Sequence, residues 1–179
     1  MTLKCRNITY IEMLQEDLIF LFRVPMEFRT EEVCLAAVQV RGNALCHVPE
    51  ELKTEEICLA AVRNNGWVLR DVPRKHKTSE ICMAAIQHTG KSLIHVPMEM
   101  MTQEFCMAAV KKDGWALDEV PRYFQTPEVY LAAVQQEGCC LYLVPPKLRT
   151  REVCLAAIRQ YPEAIRDSPY SVLELMSMK

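Results

Sequence analysis

Glycine is scarce in this sequence, with five residues in 179, while half of the residues are hydrophobic. That combination excludes a disordered or low-complexity chain and favours a folded, helix-rich one. A charge of one sign is missing too. The 21 Lys and Arg and 23 Asp and Glu leave a formal net charge of -2, without the basic excess that nucleic-acid and membrane-surface binding ordinarily need. No run approaches the roughly 18 apolar residues of a membrane span. The N-terminus lacks the apolar segment of a leader, because Glu12, Glu16 and Asp17 interrupt it and Leu18 to Phe22 is too short. These absences imply a chain of about one domain that works in a cytosol.

Cysteine is not lacking, but its count of nine is odd, and Cys34, Cys58, Cys82, Cys106 and Cys154 share one repeated position. That regularity reads as packing by reduced thiols rather than as a disulfide scaffold.

The sequence is instead full of repetition. TEEVCLAAV begins at Thr30, TEEICLAAV at Thr54, TSEICMAAI at Thr78, TQEFCMAAV at Thr102, TPEVYLAAV at Thr126 and TREVCLAAI at Thr150. Prolines 25, 49, 73, 97, 121, 145 and 169 keep the same 24-residue step, as do glycines 42, 66, 90, 114 and 138, until Pro162 takes the sixth glycine slot. A strict period of this size marks a solenoid or array.

Each part of the unit has a local reason. The threonine is an N-cap, and the glutamate two residues later (Glu32, Glu56, Glu80, Glu104, Glu128, Glu152) suits the positive end of the helix dipole. Pro127 falls at the first helical position, which accepts proline. The glycine is expected at C′, where the backbone turns left-handed, ending a helix of about 11 residues. Beyond it, Leu45, Leu69, Leu93, Leu117 and Leu141 lie three residues before Val48, Val72, Val96, Val120 and Val144, the face of a second, shorter helix. The proline that follows either ends this helix or kinks it into one more turn. The first helix is apolar through six positions, as in Ile57 to Val62, and is expected to be buried on most sides by its partner helix and both neighbours.

The fold class is therefore all-α: a single domain, 1–179, forming an α-solenoid of about six 24-residue helical hairpins. Residues 1–24 form an N-terminal cap with Leu21 and Val24 in register and Leu18 in the glycine slot; 25–168 are the repeats; 169–179 form a C-terminal half-cap.

The segment VPEELKTEEICLAAVRNNGWVL, residues 48–69, resembles a bacterial 24-residue helical repeat family of unknown function, of the type VPxxLxTxExCLAAVxxxGxAL. The likeness runs over roughly residues 24–167. The family has no assigned catalytic residues, so none transfer. The resemblance implies a bacterial origin and a setting among secreted effectors, toxin systems and their accessory proteins.

A residue present in every copy is explained by the unit; one peculiar to a single copy is a candidate for function. The cysteine ladder fails as chemistry, because stacked helices lie about 8–10 Å apart, too far for a disulfide or a zinc site, and Tyr130 replaces one cysteine. His47 and His95 stand two repeats apart, too distant for one metal. No triad or HExxH arrangement can be assembled, so the chain is expected to be no enzyme and to hold no cofactor or metal. The basic stretch Arg70, Arg74, Lys75, Lys77 reads as a solvated turn.

Unit-specific apolar residues are the more informative. Tyr142 and Leu143 occupy slots that are mainly charged elsewhere, and Ile94 does so in part. Met98 and Met101 lie in one connector and Tyr123 in the next, and Met101 replaces the usual Arg, Lys or Gln before the threonine. Trp67 and Trp115 share a slot in alternate units. These eight are the candidate partner-binding residues, along one edge of the stack or completing its core.

The function expected is non-enzymatic binding of another protein, most specifically as an immunity or inhibitor protein that occludes a toxin domain, with a nuclease compatible with the acidic balance. An effector module capturing a host protein is the first alternative, and a nucleic-acid or small-molecule binder the second.

Overall fold

The computed structural model describes residues 3–17 and 19–177, with side chains described at 9–17, 19–171 and 173–175. Leu18, the residue expected in the glycine slot of the cap, lies outside them. Helix α1 (Leu3–Gln15) supplies the longer N-terminal helix. Six helices of 10 residues follow: α2 (Glu31–Val40), α3 (Glu55–Asn64), α4 (Ser79–His88), α5 (Gln103–Lys112), α6 (Pro127–Gln136) and α7 (Arg151–Gln160). A short α8 (Val172–Ser177) closes the described chain, capped reciprocally by Ser171 and Glu174. Among the described residues there is no strand, and the tandem helical units make this an all-α repeat fold of the solenoid class.

The second helix of each unit is a 3-10 helix, such as Gly66–Asp71. Its i, i+3 apolar spacing is the reason, because side chains three apart eclipse in that geometry; Leu69 and Val72 are both buried. The proline ends it. Pro73 is extended (φ -56, ψ 139), and a separate turn, Arg74–His76, begins after it.

The glycine is not the left-handed C′ residue expected, for among the described residues no glycine has positive φ. Helices α2, α3, α5 and α6 end instead in an extended residue before the glycine, such as Asn65 (φ -147), whose amide still bonds to the Ala61 carbonyl. The glycine opens the 3-10 helix and lies against the backbone of the following unit. A Cβ on Gly42 would stand 2.5 Å from the Ala61 oxygen and 3.0 Å from Asn65 Cβ, and one on Gly90 2.5 Å from the Ala109 oxygen. Close approach, rather than handedness, excludes a side chain there. Pro162, in the sixth slot, is exposed.

Caps form at four of the six threonines. The hydroxyls of Thr54, Thr78, Thr102 and Thr150 accept from the amides of Ile57, Ile81, Phe105 and Val153 at 3.2–3.4 Å. Thr30 and Thr126 make no such bond; the Thr126 hydroxyl accepts from Gln103 Nε2 instead.

The chain forms two compact units. In the first (Met1–His88 with His95–Pro97), α1 packs on α2, α2 on α3 and α3 on α4. There α3 and α4 also rest on the 3-10 helices Gly42–His47 and Gly66–Asp71. In the second (Thr89–Ile94 with Met98–Lys179), α5 packs on α6 and α6 on α7, which rest on Gly114–Glu119 and Gly138–Leu143. The repeated cysteines, with Ile57, Ile81, Val129 and the leucines of the 3-10 helices, form the two cores. The six-residue apolar run is not buried on all sides, however. Leu35, Leu59, Met83, Met107, Leu131 and Leu155 are half-buried, on the outward side of their helices.

Candidate protein-interaction surface

The unit-specific residues lie on the 3-10 helices, as Trp67, Ile94, Trp115, Tyr142 and Leu143 do, or on the short turns after them, as Met98 and Tyr123 do. In the second compact unit, Ile94, Met98, Tyr123 and Tyr142 are 56, 63, 88 and 50 % exposed. Trp115 is half-buried, with its ring 6.2 Å from that of Tyr142 one copy later. The start of its 3-10 helix fixes it, because Asp113 Oδ1 accepts from the Trp115 amide at 3.0 Å. Desolvation and the Asp118 carboxylate raise the Tyr142 pKa above its ordinary value. Tyr123 stands edge-on to Phe124 at 5.2 Å. Thus Trp115 and Tyr142 are brought into contact, Ile94, Met98 and Tyr123 are exposed, and Leu143 is half-buried beside Tyr142.

Trp67 belongs to the first unit and pairs edge-on with His95 at 5.9 Å. Its amide is held by Asn65 Oδ1 at 3.1 Å. Burial first, then the charges of Lys77 and Arg70, lower the His95 pKa. His47 likewise has a ring partner, Phe22, at 5.4 Å. Among the described residues no three His, Cys, Asp or Glu side chains stand close enough to hold a metal ion, and no helix is long and apolar enough to cross a membrane.

Met101 turns out to occupy a slot with a structural duty. In four other copies that slot holds a long donor bonded to a carbonyl at the end of its own 3-10 helix, of the next one, or of both. Arg29 donates to the carbonyls of Val24 (2.9 Å), Phe22 (3.2 Å) and, one copy on, His47 (2.9 Å). Arg149 does the same for Val144 (2.8 Å), Tyr142 (3.1 Å) and Asp167. Lys77 reaches the His95 carbonyl and Gln125 that of Val120, both at 2.9 Å. A thioether cannot donate, so Met101 makes no such clamping bond, and Lys53 in the same slot pairs with Glu50 instead. The recurrence of Arg, Lys and Gln in one slot was the signal for it.

The repeated thiols are core. Cys34, Cys58, Cys82, Cys106 and Cys154 are fully buried, and burial pushes the pKa of Cys34, Cys58 and Cys106 up to about 11. Tyr130 fits the same slot because its hydroxyl donates to Oε1 of the clamp residue Gln125 at 2.7 Å.

Two features escaped the comparison of copies. Phe20 and Phe22, 49 and 50 % exposed, stack in the N-terminal cap at 5.5 Å, with the Arg41 guanidinium 3.9 Å over Phe20 and paired with Asp17. They border a cavity of about 450 Å³ floored by Leu14, Leu21, Ala37 and Val40. Much of its polar lining is already committed: Asn64 accepts from the Gly42 amide and donates to Gln39 and Val40 carbonyls, and Asn65 donates to Asn43. The available signal was Phe20 in a slot where later copies hold only Ala, Val, Ser or Cys. The other feature is the half-exposed Leu or Met of every ten-residue helix, hidden because a residue common to all copies is assigned to the core by default.

Several slots alternate with twice the basic step. Gln39, Gln87 and Gln135 alternate with Arg63, Lys111 and Arg159; Trp67 and Trp115, and His47 and His95, recur at 48 residues. No curated protein and no solved structure matches the chain. A family model does match, in three tandem 48-residue blocks, 30–77, 78–125 and 126–173, each taking in two of the structural units, and the chain belongs to that family, described as Domain of unknown function (DUF4116).

Proposed function

We propose that this chain is a non-enzymatic, protein-binding repeat protein that engages its partner through the aromatic edge of the second compact unit. The observation behind this reading is the set of large apolar side chains left in solvent there, Tyr123 at 88 % exposure above all, beside the contact pair Trp115 and Tyr142. Tyrosine, tryptophan and methionine are the residues that anchor protein interfaces, and a repeat fold varies such positions without disturbing its core. The partner we propose is a toxin domain, neutralised by occlusion of its active face. A basic nuclease is the kind of toxin that the mildly acidic balance of the chain suits.

The test is co-expression with candidate toxin domains, comparing the parent chain with Tyr142→Asp and Tyr123→Asp. Rescue of growth by the parent, lost in both variants at unchanged unfolding midpoint, supports the reading. Rescue that survives both substitutions removes this edge from the function. If no toxin domain is bound but a eukaryotic protein is, the effector reading replaces the toxin one.

A further inference from the structure

The cavity beside the N-terminal cap stands where the repeat pattern is interrupted. In later copies a glycine closes on the carbonyl of an alanine 19 residues ahead, Gly42 on Ala61 and Gly90 on Ala109 among them. Ala37 is the matching alanine of α2, and no glycine stands 19 residues before it. Ala37 instead lines the cavity of about 450 Å³, a volume within the range of small-molecule sites.

The chemistry of this cavity is sorted by position. Its floor, with Leu14, Leu21 and Ala37, is apolar and buried. Phe20 and Phe22 form an aromatic wall that is half in solvent, and Phe20 is peculiar to the cap. The polar capacity left over is that of donors. Asn43 accepts from Asn65 on its Oδ1, while its Nδ2 has no acceptor among the described residues. Arg41 pairs with Asp17 through Nη2, which leaves Nε and Nη1 without an acceptor there. Asp17 holds that guanidinium over Phe20 from a left-handed backbone (φ 62), the one positive φ among the described non-glycine residues, so the arrangement is kept against a conformational cost.

The charge is one-sided as well. Among the described residues no Asp or Glu lines the cavity, and the exposed Glu12 and Glu16 lie outside it. A second guanidinium, that of Arg23, stands 5.8 Å over Phe22.

We propose that this cavity binds a small aromatic carboxylate, its ring on the apolar floor against Phe20 and Phe22 and its carboxylate toward the Arg41 guanidinium and the Asn43 amide. An amine in that place would meet Arg41 with like charge, and an alkyl chain would leave the donors unanswered. The site is separate from the aromatic edge of the second unit, and neither depends on the other.

The probe is sodium naphthoate, titrated into the full chain and followed by ligand line-broadening and by the amide shifts of the isotopically labelled protein. Naphthalenemethanol keeps the ring without the charge, and cyclohexanecarboxylate keeps the charge without the aromatic ring. Naphthoate is expected to bind at least about 5-fold tighter than either, with shifts at residues 20–22 and 40–44. Phe20→Ala, the residue that three later copies carry in that slot, is expected to weaken it about 5-fold, and Arg41→Gln about 10-fold. Asn43→Ala, at an exposed position, removes a donor without touching the Arg41–Asp17 pair and should weaken it several-fold at unchanged urea midpoint. Parity of naphthoate with either comparison compound overturns the proposal, as does unchanged binding in Phe20→Ala and Asn43→Ala, or shifts that gather at Trp115 and Tyr142. Tyr142→Asp, which tests the aromatic edge, is expected to leave naphthoate binding unaltered.

Discussion

Gly90→Ala adds one methyl group, and the structure says where it goes. The new Cβ meets the Ala109 carbonyl oxygen at 2.5 Å and Asp113 Cβ at 3.0 Å. Carbon–oxygen contacts ordinarily close no nearer than about 3.3 Å, so the methyl is about 0.8 Å too close to a backbone atom that no rotamer change can move. Overpacking of this kind costs about 1–3 kcal/mol, partly offset by the lower unfolded-chain entropy of alanine, worth about 0.4–1 kcal/mol. A net loss of about 1–2 kcal/mol, with a urea slope of about 2 kcal/mol/M, lowers the unfolding midpoint by about 0.5–1 M. Circular dichroism in urea measures this directly. Gly114→Ala, with contacts of 2.7 Å to the Ala133 oxygen and 2.9 Å to Glu137 Cβ, is expected to behave similarly. Pro162→Ala, in the exposed sixth slot, is expected to stay within about 0.5 kcal/mol of the parent. Parent-like midpoints for both glycine variants refute the close-approach argument, since neither site has the positive φ that would supply another reason for glycine.

Ser92 is fully buried with no hydrogen-bond partner for its hydroxyl, in a slot where other copies hold Ala44, Ala116 and Ala164; Ser92→Ala should raise stability by about 1 kcal/mol in the same urea assay. Arg149→Met copies the Met101 state and removes the donors to Val144, Tyr142 and Asp167, so a loss of about 1–3 kcal/mol is expected, with Arg149→Lys recovering part of it. In a Cys5→Ser background, a thiol reagent should label exposed Cys46 first and half-buried Cys139 next. Cys34, Cys58, Cys82, Cys106, Cys140 and Cys154 should react only on unfolding, because burial hides all six, and it raises the pKa of Cys34, Cys58, Cys82, Cys106 and Cys140. His95 has a lowered pKa when folded, so the unfolded chain binds its proton more readily and stability falls as the pH drops from about 7 to about 5. His95→Gln should flatten the pH dependence of the unfolding midpoint in that window, and an unchanged profile would show that the Trp67–His95–Lys77 cluster does not govern it.

The repeat, the threonine that opens each helix, the buried cysteines and the all-α class were legible in the sequence, because period, polarity and capping are local properties that recur every 24 residues. The same locality misled at the glycine. A glycine after an apolar helix has the spacing of a left-handed cap, yet Gly42, Gly90, Gly114 and Gly138 are set by the carbonyl oxygen of an alanine 19 residues later, a contact with no trace in the neighbouring residues. The duty of the Met101 slot was hidden similarly, since Arg29 and Arg149 there reach carbonyls on two different 3-10 helices. The candidate edge was partly visible: Trp115 and Tyr142 stood out as unit-specific, but their meeting depends on how one copy stacks on the next. The outward Leu or Met of each helix was invisible for the opposite reason. Sequence alone ranks Leu59 with Ile57 as core, and only the packing of neighbouring helices, which cover one side of α3 and leave the other to solvent, separates them. The sequence by itself thus determined the unit, its period and its core chemistry. Tertiary structure decided which face of that unit is left for a partner, because exposure belongs to the stack rather than to any single copy.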